Sequence, residues 1–281
     1  MIGFSVKVVS DCLDIKHKGF YSWKKRIPGK QKLKRKQILA EIKSLHTGIK
    51  VAYGSPRIHV DLCAKGIQVS LPTVAKIMKE NGIKSCMRSK FRPPNTTNSN
   101  HSEPISANLL EQNFNITLPN KVYVTDITYI PYVFGFLYLC QFKDLCTKKV
   151  VGWAVDTHMH TSLVVRAFNN AVKSQKPESG LIIHSDRGSQ YASHEFRDEI
   201  KKHGFVQSMS RKGNCYDNAP AESFFSTLKR EFTNHKRFKN LDEARSSLFE
   251  YIEVFYNRTR FHSSIGYKSP VMFENEFYAC Q

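Results

Sequence analysis

The chain has 281 residues, 41% hydrophobic and 12% aromatic, with 43 Lys and Arg against 24 Asp and Glu and a formal charge of +19. Enough apolar surface is present to bury a core, which excludes a wholly disordered chain. No apolar run approaches the ~18 residues of a membrane-spanning helix.

The first residues form too short an apolar stretch for a secretory signal. The seven cysteines are odd in number and include no C-x-x-C pair, which fits neither a disulfide framework nor a zinc site. Reduced thiols in an intracellular protein are expected. Charge is uneven: residues 1–100 hold 21 Lys and Arg against 5 Asp and Glu, a balance of +16, and residues 101–281 hold 22 against 19, a balance of +3. A basic front module attracts polyanions, nucleic acid being the commonest; a merely solubilising basic tail is the alternative.

Taken in chain order, residues 34–45 carry Ile38, Leu39, Ile42 and Leu45 at helical spacing. Pro56 can open a second helix with Ile58 and Leu62 apolar, and Gly66 breaks it. Ser70 is a candidate N-cap for a third helix over 71–81, with Val74, Ile77 and Met78 on one face and Gly82 as its stop. Helix, short turn, helix within a basic segment is the helix-turn-helix pattern, and a weaker copy precedes it over 9–13 and 18–23. Candidate DNA contacts here are Lys24, Lys25, Arg26, Arg57, Lys76 and Lys79. The Pro-, Asn- and Ser-rich stretch from Arg92 to Ser102 falls at the charge transition and reads as a linker. The chain thus divides into a basic helical region over 1–91, with the helix-turn-helix pattern expected of DNA binding, a linker over 92–119 and a further region over 120–281.

After the linker the period changes to two. Residues 122–130, 134–142 and 150–155 are rich in β-branched and aromatic residues and predict an antiparallel meander. Helix 162–173, strand 181–183, helix 195–203, strand 205–209 and helices 219–233 and 241–256 follow, an α/β order.

Three carboxylates stand out by position. Asp126 lies in mid-strand, where Asp is depleted and rarely buried unless paired or metal-bound. Asp186 ends a strand, a favoured place for a site in an α/β sheet. Glu222 lies just after Pro220 at a helix start and shares a face with Lys229, seven residues on, along the border of the apolar stripe. Each has an ordinary alternative: Asp186 as a turn former, Glu222 as a solvated helix residue, Asp126 as a capped edge-strand residue. Asp144, Asp156 and Asp217 are local rivals, and spacing alone does not exclude Asp144. Three carboxylates and a lysine are what metal-assisted phosphodiester chemistry uses, one acid bridging two metal ions, one on each, and an ammonium on the polyanion.

The segments Val124-Thr125-Asp126-Ile127-Thr128-Tyr129-Ile130, His184-Ser185-Asp186-Arg187-Gly188-Ser189-Gln190-Tyr191 and Asn214-Cys215-Tyr216-Asp217-Asn218-Ala219-Pro220-Ala221-Glu222 closely resemble the catalytic core of bacterial insertion-sequence transposases. The group is the one encoded in two overlapping frames, the chain looking like its second-frame (OrfB) product, within the Asp-Asp-Glu superfamily that includes retroviral integrases. Thirty-five residues lie between Asp186 and Glu222, and a basic residue, Lys229, follows seven positions after Glu222, both as in that pattern. The segment from Tyr53 through Ile83 resembles the group's helix-turn-helix. The segment Tyr256-Asn257-Arg258-Thr259-Arg260-Phe261-His262 resembles its C-terminal signature. Tyr123 stands where the group usually has Trp. The leading DNA-binding and leucine-zipper portion of a full frameshifted transposase is not in the sequence, which bears on autonomous activity.

The resemblance implies a ribonuclease-H-like core, a mixed sheet with flanking helices, behind an all-α helix-turn-helix region. It implies DNA cleavage and joining with two Mg²⁺ ions per site, Mn²⁺ able to substitute. Asp126, Asp186 and Glu222 carry over as metal ligands and Lys229 as a DNA contact. His184, Asn218 and His262 match group motifs without a role derivable from the residues, His184 being either a support for the metal ligands or a packing residue. Glu222, on a separate helix, is the acid expected to stand apart without metal. Implied partners are double-stranded DNA of element ends and target, further copies of the chain, and the first-frame (OrfA) product or its fusion. The implied location is the bacterial cytoplasm, at the nucleoid. The competing functions are a DNA-binding regulator or inactive partner, and a ribonuclease-H-like nuclease that never joins.

Overall fold

The computed structural model describes residues 5–25, 27, 29–88 and 103–280. Arg26 and the polar run 92–102 lie outside the described residues.

Among the described residues the regular elements of the basic front are helices, the α-helices being α1 (Val6–Cys12), α2 (His17–Lys24), α3 (Lys30–Leu45), α4 (Ser55–Ala64) and α5 (Leu71–Glu80). Ser70 occupies the N-cap position of α5, but its hydroxyl bonds Thr73 Oγ1 at 2.8 Å instead of a backbone N–H. Pro72, near the start of α5, needs no N–H donor there. The apolar faces of α3, α4 and α5 do not close on themselves. Ile38, Ile42, Tyr53, Ile58, Leu62 and Val74 share one buried cluster with Ile130, Leu137, Phe224, Phe225, Tyr251 and Phe255 of the second half. Tyr53 is wholly buried, its ring centroid 6.1 Å from Phe255 and 6.4 Å from Phe261.

The second half is built on a five-stranded sheet of order β3-β2-β1-β4-β5. Strands β1 (Val122–Tyr132), β2 (Gly135–Asp144) and β3 (Val150–Asp156) form the expected antiparallel meander. Strands β4 (Ile182–Ser185) and β5 (Val206–Met209) continue it in parallel from β1. One face is covered by α6 (Thr161–Gln175) and α8 (His194–Lys202), with the single-turn α7 (Ser189–Ala192) where the sequence reads as a turn. Gly152 permits the α6 contact, since a Cβ there would lie 2.4 Å from Ala171 N. The other face is covered by α9 (Ala219–Glu231) and α10 (Leu241–Phe249), joined by α3, α4 and α5. The helix expected over 241–256 changes pitch, α10 running on as a π-helix over Glu250–Tyr256. A last helix, α11 (Pro270–Ala279), capped by Ser269 Oγ on Met272 N at 3.3 Å, was not read from the periodicity.

The described part of the expected linker is docked. Leu110, Phe114 and Ile116 pack with Val122, Val124, Leu145 and Ala221. Among the described residues no helix is long and apolar enough to cross a membrane.

Candidate active site

Strand β1 forms because 122–132 alternates β-branched and aromatic residues, and alternation sets the faces. Asp126 shares its face with Val124 and Ile130, the side packed by α9. Parallel β4 places the second acid. The ladder runs Val122↔Ile182, Tyr123↔Ile183, Val124↔His184 and stops, so Asp126 and Asp186 each lie two residues beyond the same rung. Asp186 Oδ1 accepts from Gly188 N at 2.9 Å. Gly188 is needed for this approach, because a Cβ would lie 3.1 Å from that oxygen. Arg187 pins the turn by donating Nε–H to Ser210 O at 2.6 Å.

Glu222 stands in the first turn of α9, where the helix dipole favours an acid. Two tethers set that turn against the sheet. Asn218 donates Nδ2–H to Thr125 O at 3.2 Å, the carbonyl just before Asp126. Lys143, buried on β2 beside a bulge in the ladder to β3, donates its ammonium to Pro220 O. Burial, with Lys148 and Arg260 adding repulsion, pushes the Lys143 pKa down to about 7.

The acids feel one another. Burial and then the neighbouring Asp186 push the Asp126 carboxyl well above its ordinary range, with Glu222 adding; the Ile127 N–H at 2.7 Å and the Lys229 charge oppose this. Glu222 is pushed up by burial and by Asp186, yet its side chain remains largely exposed. The half-buried Lys229 ammonium is pushed down by burial and held up by Asp126. Asp126, Asp186, Glu222 and Lys229 therefore share one electrostatic neighbourhood. The three acids are not drawn into a closed cage: among the described residues no three His, Cys, Asp or Glu side chains are gathered closely enough to hold a metal ion.

Comparison with known proteins gives the family. Residues 117–215 and 203–270 match integrase core domain families, and residues 32–91 match an HTH-like domain family. The chain is 43% identical over 264 residues to the Shigella sonnei insertion element IS600 uncharacterized 31 kDa protein, covering 94% of this chain and 96% of that protein. It is 41% identical over 250 residues to the Lactococcus lactis transposase for insertion sequence element IS904, covering 89% and 98%. It is 37% identical over 276 residues to the Escherichia coli transposase InsF for insertion sequence IS3A, covering 97% and 95%.

The chain belongs to the insertion-sequence transposase family.

Among solved structures, a simian T-cell lymphotropic virus intasome chain is similar at 15% identity and a TM-score of 0.48, covering 84% of this transposase-family chain and 73% of that chain.

Within the transposase core, the rival acids are committed elsewhere. Asp144 is fully buried and accepts from Cys146 N at 3.0 Å and Thr147 Oγ1 at 2.9 Å, closing the β2–β3 turn. Asp217 is held well below the usual carboxylate range by Arg211 and also accepts from Asn108 and Gln112. Asp156 is paired with Arg166. His184 is buried on β4, its ring nitrogens 2.8 Å from Ser208 Oγ and 3.3 Å from Ser210 Oγ. Burial pushes its pKa down, keeping the ring neutral.

The expected DNA contacts separate into two kinds. Lys24, Lys25, Lys76 and Lys79 are exposed. Arg57 is turned inward, correcting its reading as a surface contact: it donates to Phe261 O at 3.0 Å and pairs with Glu231 at 3.4 Å. The reason is that α4 packs its Arg57 side against the second half, where buried Glu231 draws the cation. Sequence reasoning missed Gln141 and Lys143. Their signal was two polar residues on the same-face series Leu137, Leu139, Gln141, Lys143 of an otherwise apolar strand.

Proposed function

We propose that this transposase cleaves and joins DNA strands at insertion-sequence ends, with Asp126, Asp186 and Glu222 holding two Mg²⁺ ions, for which Mn²⁺ can substitute. The observation that carries the reading is the matched register of Asp126 and Asp186 beyond Val124↔His184, with the start of the helix that bears Glu222 tethered to β1 through Asn218 and to β2 through Lys143. The donor set fits a hard divalent cation. Oxygen ligands only are offered, and their mutual repulsion makes the site favour positive charge. When bound, the metal supplies charge neutralisation at the phosphate and activation of the attacking oxygen. The chain's own residues do the rest. Strands β1 and β4 hold two acids rigidly. Helix α9 presents Glu222 from its first turn and carries Lys229 along the same face, where its ammonium steadies a DNA phosphate. The exposed lysines of α2 and α5 bind backbone phosphates, and further copies of the chain assemble on the element ends in the bacterial cytoplasm, at the nucleoid. The first-frame product, free or fused, is a further partner under this reading.

The test is incubation of the full chain with DNA carrying an element end plus Mg²⁺, scoring hydrolysis and strand joining separately. Both products are expected, and both should vanish on chelation. Bound but uncut DNA would favour a regulator; hydrolysis without joining would favour a nuclease.

A further inference from the structure

Gln141 on β2 is the direct antiparallel partner of Asp126 on β1, and Trp153 on β3 completes the rung. Directly opposed residues of an antiparallel ladder point to the same face with Cβ atoms about 4.5–5.5 Å apart. The Gln141 amide therefore rises from the sheet beside the Asp126 carboxyl. It is wholly buried, and among the described residues neither Nε2 nor Oε1 has a hydrogen-bond partner. Its partner across the β2–β3 ladder does not serve it: Trp153 donates its indole N–H to Glu253 at 2.9 Å.

A buried amide without partners is destabilising, because it has given up hydrogen bonds to water without replacing them. Leu137 and Leu139 occupy the preceding positions on the same face, so an apolar residue would fit the fold at lower cost. The position makes physical sense if the amide acts on its rung neighbour. Asp126 Oδ1 accepts the Ile127 N–H at 2.7 Å, which leaves Oδ2 as the oxygen for a second donor.

We propose that Gln141 is a positioning residue for Asp126, its Nε2–H donating to Asp126 Oδ2 when the carboxylate is ionised and holds a divalent cation. The donor fixes the plane of the carboxylate, as outer partners of metal ligands do. This inference rests on the reading of Asp126 as a metal ligand.

Its test uses the full chain with Gln141→Leu, Gln141→Met and Asp126→Asn, reading the rise in Tm as Mg²⁺ is added, with strand joining as a second readout. Without Mg²⁺ both Gln141 variants should unfold at the same or a higher temperature than the parent, because an unpaired buried amide has been removed. The Mg²⁺ concentration giving half the Tm rise should increase about tenfold or more, and joining at low Mg²⁺ should fall with it. Asp126→Asn should lose the Mg²⁺-dependent rise. If both Gln141 variants respond to Mg²⁺ as the parent does while Asp126→Asn does not, Gln141 only packs, and the reading of Asp126 stands. A lowered Tm in both with an unchanged Mg²⁺ response would likewise overturn the proposal, showing an amide bonded for stability alone. If Asp126→Asn keeps the full Mg²⁺ response, both readings fail together.

Discussion

Helix α9 carries an acid at each end, and the two are treated in opposite ways. Glu231, its last residue, is closed in. Arg260 donates to both its oxygens, at 2.8 and 3.1 Å from Nε and 2.8 Å from Nη2, Tyr251 Oη–H donates at 2.8 Å, and Arg57 reaches it at 3.4 Å. Burial works against the Arg260 charge, but Glu231 overrides it and holds the guanidinium above its ordinary value. Burial and Arg260 push His262 down to about 2, so its ring stays neutral beside Arg260. Glu222, in the first turn, faces other acids and stays exposed. The Glu231 network satisfies its charges within the protein and ties α4 of the front region to the core. In the Asp126–Asp186–Glu222 group the acids repel one another, with the Lys229 charge opposing the effect at Asp126. One cluster holds the fold together; under the proposed function the other takes a cation.

The sharpest test of that contrast is removal of the open cluster's charges. Asp126→Asn, Asp186→Asn and Glu222→Gln should each lower cleavage and joining together by about three orders of magnitude or more, several kcal/mol of transition-state stabilisation being lost. Chemical denaturation should find the metal-free variants at least as stable as the parent, since repulsion has been removed. Loss of joining with full hydrolysis in any one of them would break the shared site.

The closed cluster should respond the other way. Glu231→Gln leaves Arg260 buried beside a neutral amide and should cost about 3–5 kcal/mol in urea unfolding. The same change should leave the Mg²⁺ response of the protein that remains folded intact. An unfolding free energy within about 1 kcal/mol of the parent would show that the network is not a stability device.

Lys143 gives a smaller, pH-dependent effect. Its folded pKa, about 7, lies below the unfolded lysine value, so the unfolded chain takes up its proton first as pH falls. This contribution favours folding fully above the unfolded pKa and is lost on descent through the window down to about 7. Relative to Lys143→Met, the parent should therefore lose Tm between pH 10 and pH 7. A Tm difference independent of pH across that window would remove the buried-ammonium account. Because Lys143 also tethers Pro220, Lys143→Met should reduce strand joining without abolishing it.

The smallest expected effect lies on the surface. Lys76→Ala with Lys79→Ala should leave folding unchanged and weaken binding to any duplex. The slope of log affinity against log salt should fall by about two, one for each phosphate contact removed. Binding measured across a salt series would check it; an unchanged slope would move the DNA path off α5.

Several features were legible in the residues themselves. The β-branched run around Asp126, the strand-end Asp186, the Pro-started helix carrying Glu222 and the spacing to Lys229 are local patterns, and each reappears in its expected element. Gly66 and Gly82, both at positive φ, end their helices as read. Periodicity reports which residues turn inward, and local chemistry reports where elements start and stop. Neither reports what the inward faces meet. Only the tertiary structure decided that α3, α4 and α5 share a core with α9, α10 and the π-helix beyond it, because Ile58 and Tyr53 carry no mark of their partners. It also turned Arg57 inward to Glu231, 174 residues away in sequence. Asp144 and Asp126 are both strand aspartates, and only their neighbours separate them: a turn's N–H and hydroxyl groups close on one, while an acid and an unpaired amide stand beside the other. Sequence set the kinds of groups available, since composition and spacing are local quantities. Pairing of charges across the fold was decided in three dimensions, since a charge responds to whatever lies within a few ångströms, however distant along the chain.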